Sequence, residues 1–91
     1  MTKETIRVFP DYMSSGLWLT TGANIDVEYL ENAVHPYLLL TLKYWHAAWE
    51  YGNIDCKSTT YRQQWNTDGQ FLVDSMNTCQ TQFNFVYVES L

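Results

Sequence analysis

The sequence predicts an α+β fold: a small single domain spanning 1–91, β–loop–α–α–β, with two long helices packed on one face of a small sheet containing both terminal strands. Three observations carry this. Thr5–Phe9 alternates apolar Ile6 and Val8 with Arg7. "FNFVYVE" near the C-terminus alternates Phe83, Phe85 and Tyr87 with Val86 and Val88. Between them lie two segments with helical stripes, Leu38/Leu42/Trp45/Trp49 and Tyr61/Trp65/Leu72/Met76.

The first strand stops at Pro10, which cannot donate to a ladder. Residues 10–35 read as irregular, punctuated by "SSG" and "TTGAN", with a short extended piece at Trp18–Thr20. Asp26 is expected to cap a single turn at Val27–Glu31. Pro36 suits the first position of a helix that runs to Tyr51 and stops at Gly52-Asn53. Its buried stripe is flanked by Tyr37, Tyr44 and Tyr51, one every seven residues. Residues 53–59 form a loop. Thr60-x-x-Gln63 has the form of a capping box, and the segment after it aligns Tyr61, Trp65, Leu72, Met76 and Cys79 on one face. Gly69 and a second box, Thr67-x-x-Gln70, suggest a break near Asn66–Gly69. A pair of strands is marginal alone, so the helices are expected to cover its apolar face.

Only 16% of the 91 residues are charged, against about 25% in an ordinary soluble protein, while 16% are aromatic. Four Trp, seven Tyr and four Phe exceed what a small core needs and make good interface anchors. A net charge of -5 lacks the positive footprint that releases counterions from phosphates, so direct nucleic-acid binding is not expected. A basic protein partner suits it better. The four glycines are scattered at 16, 22, 52 and 69, with no phosphate-cradling loop, so no cofactor is expected. Cys56 and Cys79 form no metal-binding spacing and read as free thiols of the core. "MTKETIRVF" has no apolar signal region, and "YLLLTLKYWHAAWEY" is too short and too polar for a bilayer. A cytoplasmic protein is the expectation.

His46 and Glu50, four apart, could share a face as metal ligands, but no third ligand joins them, and they read as a surface pair. "MSSGL" lacks the first glycine of a nucleophile elbow, so Ser14 and Ser15 read as turn residues whose hydroxyls bond the backbone. No catalytic or metal residue is assigned. The carboxylates are more informative. Residues 8–42 hold four acids (Asp11, Asp26, Glu28 and Glu31) and no Lys or Arg. With Tyr12 and Trp18 as aromatic anchors, they are the candidates for an acidic binding face. Glu50 and Asp55, flanking Gly52, could extend it.

The pattern "IRVFPDY…SGLW…G-x-NID", then a Trp-rich helix, a helix with an internal Gly and a closing "FVYVE" strand, resembles a family of small bacterial immunity proteins. These neutralise polymorphic or contact-dependent growth-inhibition toxins. The resemblance covers nearly the whole chain, at Phe9, Pro10, Asp11, Tyr12, Leu17, Trp18, Gly22, Asn24, Ile25, Asp26, Trp49 and Gly69. "NAVHPY" departs from it, since relatives more often place Ser or Thr before that helix. The resemblance implies a toxin inhibitor without catalysis, and its partner a basic nuclease domain. A phage-encoded inhibitor such as an anti-CRISPR protein would use the same acidic surface. A small enzyme, or an adaptor that dimerises through the tyrosine stripe, are further alternatives.

Overall fold

The computed structural model describes residues 3–52, 54 and 57–89. Its elements are β1 (Glu4–Val8), β2 (Leu17–Leu19), a 3₁₀ turn (Val27–Leu30), α1 (Pro36–Tyr51), α2 (Thr59–Cys79) and β3 (Phe83–Tyr87). The strand order is β2-β1-β3. Central β1 runs antiparallel to β2, with Ile6 opposite Leu19, and parallel to β3, with Ile6 opposite Phe85. Parallel neighbours need a crossover, and α1 and α2 supply it. The two terminal strands therefore share one sheet, as the alternating patterns predict.

Ile6, Val8, Leu17, Phe83 and Phe85 form the covered face of the sheet and are buried with Leu42, Trp45, Trp65, Leu72, Val73 and Met76. The opposite face carries half-buried Arg7 and Trp18 and the exposed Val86 and Val88. Trp45 and Trp65 lock the helices together. Their rings stack at 4.3 Å and 6°, and each indole N–H donates to the other residue's backbone carbonyl at 3.0 Å. The pair thus buries two large rings without stranding either polar tip.

The expected break in the second helix does not occur, because α2 is continuous from Thr59 to Cys79. Its cap is Ser58, whose hydroxyl accepts from the Tyr61 N–H, rather than Thr60. Thr67 is a mid-helix residue that donates back to the Gln63 carbonyl. Gly69 answers a packing demand, not a break. A Cβ there would lie 2.5 Å from Tyr87 Cε1 and 2.7 Å from Trp45 Cζ2. Two members of the expected buried face, Tyr61 and Cys79, are exposed. Cys79 is therefore not a core residue, and Cys56 lies outside the described residues. In α1, His35 Nδ1 accepts the Tyr37 N–H at 3.1 Å and takes the capping role that "NAVHPY" left open. Leu42 and Trp45 are buried, while Leu38 and Trp49 are half-buried.

Both sheet edges are closed. On β3, the Asn77 side-chain amide exchanges two hydrogen bonds with the backbone of Phe85, each 2.8 Å. Gln80 does the same for Phe83, at 2.7 and 2.9 Å. Beside β2, Ile25 N–H donates to Leu17 O and Leu19 N–H to Ala23 O. Strand edges that would otherwise recruit another chain are thus occupied by the protein's own polar groups.

Candidate interaction surface

The loop between β1 and β2 holds Asp11 and Tyr12, two of the residues that the sequence singles out. Phe9 N–H donates to Gly16 O at 3.1 Å and closes it. Gly16 has φ +83°, and a Cβ there would lie 2.9 Å from His46 Cδ2, so this position needs glycine on both counts. Met13 has φ +55°, a left-handed conformation that costs a side-chain-bearing residue about 1–2 kcal/mol. Something must hold it there.

The holding groups come from α1. Glu50 Oε1 accepts the Met13 N–H at 2.7 Å. His46, only 4% exposed, sets Nε2 2.9 Å from the Asp11 carbonyl oxygen, and its Nδ1 lies 3.6 Å from Glu50 Oε2. Ser14 Oγ donates to the same Asp11 carbonyl at 2.9 Å. The Tyr12 ring rests on half-buried Trp49, centroids 4.6 Å apart. The His46–Glu50 pair is therefore not a surface pair, as its spacing suggests, but an inward staple between α1 and the loop. It turns inward because His46 lies one residue beyond Trp45 on the buried side of the helix.

Ser14, His46 and Glu50 follow the order of a hydrolase triad, with Ser14 Oγ 3.3 Å from His46 Nε2. The hydrogen bonds tie these groups to the loop backbone instead: the Ser14 hydroxyl donates to the Asp11 carbonyl at 2.9 Å, and His46 Nε2 faces that same carbonyl at 2.9 Å and the Asp11 N–H at 3.4 Å. Ser14 and Ser15 bond the backbone, at Asp11 O and Ile25 O, as turn residues do. Among the described residues no three His, Cys, Asp or Glu gather as metal ligands.

The structure brings some of the candidates together and separates others. Asp11 and Tyr12 are exposed on the stapled loop, with Met13 beside them at 96% exposure. Asp26 and Glu28 line a shallow cavity of about 350 Å³ together with Met13, Ser14, Asn24 and Lys43. Asp26 precedes the 3₁₀ turn but its side chain caps nothing, so the carboxylate is available. The acidic run is base-free along the chain but not in space, because Lys43 reaches the cavity from α1. Glu31 is exposed just after the turn and is not part of the cavity lining. Trp18 sits on the open sheet face, stacked on Phe9 at 5.0 Å, its indole N–H on Phe9 O. It braces the loop rather than extending the acidic patch. Glu50 is spent on the staple. Asp55 lies outside the described residues. Sequence reasoning missed Met13 and Lys43. Nothing in "DYMSSG" signals a left-handed methionine, whereas Lys43 could have been placed from its helical spacing to His46 and Glu50.

The geometry defines a small α+β domain that displays a stapled loop and two exposed carboxylates beside a shallow cavity. Compared with models of protein families and with curated proteins, the chain matches none. Among the described residues no helix is long and apolar enough to cross a membrane.

Proposed function

We propose that the protein is an immunity protein that binds and neutralises a bacterial toxin in the cytoplasm, the partner being a basic nuclease domain. It acts by occupying its partner, without a reaction or cofactor of its own. One observation carries most of the weight: the backbone at Asp11 and Met13 is pinned to two inward side chains of α1. A loop held this way has little conformational freedom left to lose on binding, which favours affinity. Asp11, Asp26 and Glu28 then offer carboxylates to a cationic surface, and Tyr12 offers an aromatic anchor. The closed sheet edges argue for recognition by side chains rather than by strand addition. The resemblance of "FPDY", "SGLW" and "NID" to immunity proteins points the same way.

The test is association kinetics with the product of the neighbouring gene at two salt concentrations. Steering by carboxylates predicts faster association at low salt, and Asp26→Lys with Glu28→Lys should slow it by about tenfold and flatten the salt dependence. Association unchanged by the double reversal would remove these acids from the interface.

A further inference from the structure

A second face of the molecule is rich in exposed rings. Tyr37, Tyr44 and Tyr51 are 76%, 70% and 78% exposed along α1, with Leu40 between them at 48%. Beside Tyr44 an apolar groove of about 630 Å³ runs between α1 and α2, floored by Trp45, Ala48 and Trp65 and flanked by exposed Tyr61 and Phe71. The contacts these outer rings do make, Tyr37 on His35 and Tyr61 near the Lys57 ammonium, leave most of their area open. This face is remote from the stapled loop: Tyr44 and His46 are two residues apart, about 200° around the helix, and so point to opposite sides of α1.

We infer that this face binds a second copy of the chain, as a twofold dimer in which α1 packs antiparallel against its mate about an axis at Tyr44. Three observations select that occupant. First, the seam is symmetric in sequence. Tyr37 and Tyr51 each stand seven residues from Tyr44, so an antiparallel twofold sets Tyr37 against the partner's Tyr51 and Tyr44 against its own copy. Leu40 then meets the partner's Ala48, a large side chain over the small residue in the groove floor.

Second, the charge is right for self-association. Copies carrying -5 repel unless they meet where charge is absent. The charged residues of α1 are Lys43 and Glu50, and both engage the loop side. The groove is lined by one charge, Asp68, which already accepts a hydrogen bond from Gln64.

Third, the area is sufficient. Tyr37, Tyr44, Tyr51, Tyr61 and Phe71, at about 200 Å² per full ring, expose roughly 700 Å², before Leu40 is added. A standard stable interface needs about 800 Å² per partner. The dimer leaves both stapled loops facing outward, giving two binding sites per assembly.

Sedimentation of the purified chain across micromolar concentrations tests this. The dimer predicts a mass approaching twice the 10.7 kDa monomer, little affected by added salt. Tyr44→Glu sets two carboxylates against each other on the axis and should weaken the dimer by on the order of tenfold or more. The inference is overturned by a wild-type monomer at every concentration, or by a dimer that Tyr44→Glu leaves intact. If Tyr44→Glu loses its far-UV dichroism, Tyr37→Glu replaces it: a weakened dimer supports the inference and an intact one overturns it.

Discussion

Replacing Gly69 with alanine sets local propensity against tertiary packing, and the two give opposite signs. Gly69 lies inside the 21-residue helix α2. Helix propensity alone favours alanine there by about 1 kcal/mol. The added Cβ, however, falls 2.5 Å from Tyr87 Cε1 and 2.7 Å from Trp45 Cζ2. Neither ring can step aside. Trp45 is clamped by its stack on Trp65 and by two reciprocal indole hydrogen bonds, and the Tyr87 hydroxyl is held by Asn66. Overpacking a core costs about 1–3 kcal/mol, and two fixed rings put this site at the upper end. The net expectation is a loss of about 2 kcal/mol, or about 10 °C in Tm for a domain of this length. Thermal unfolding followed by circular dichroism measures it. An alanine variant that melts at or above the wild type would mean that the Trp45–Tyr87 packing does not constrain Gly69.

Glu50→Ala removes both the acceptor for Met13 N–H and the carboxylate beside His46, and should cost about 1.5–3 kcal/mol while making residues 11–16 newly sensitive to proteolysis. Denaturant unfolding and limited proteolysis would read the two effects. Asn77→Leu strips the Phe85 backbone of both edge hydrogen bonds, and should cost about 1–3 kcal/mol and promote aggregation, visible by light scattering. Burial, and then the Glu89 carboxylate, raise the Tyr87 phenol above its ordinary 10.0. The folded state therefore favours the neutral phenol. That contribution to stability is complete below pH 10 and is lost as pH rises through the folded-state value. Alkaline unfolding should be less steep in Tyr87→Phe, and an unchanged profile would assign the decline to other groups.

The strands and helices were legible because their signals are local and periodic: Ile6 and Val8, or Phe83 and Phe85, alternate whatever surrounds them. The errors fall where the cause is distant in sequence. Gly69 suggested a break, since its actual partners, Trp45 and Tyr87, lie 24 residues before and 18 after it. Ser58 outcompeted the Thr60 box because either residue could open the same helix, and such boundaries shift by a residue or two. At the site, composition pointed to the acids of residues 11–31 but not to their fates. Glu50 turns inward to meet a backbone N–H 37 positions away, a contact without local trace. Trp18 looked like a display residue, yet β2 pairing directs it to the open sheet face against Phe9.

The most direct test of the proposed role is growth of cells expressing the product of the neighbouring gene, the proposed toxin, together with this protein. Wild type should restore growth, and the Asp11→Lys, Asp26→Lys, Glu28→Lys variant, folded by circular dichroism, should fail to do so. Cells that die equally with wild type and without it, or that the charge-reversed variant protects fully, would contradict neutralisation through this acidic, stapled surface.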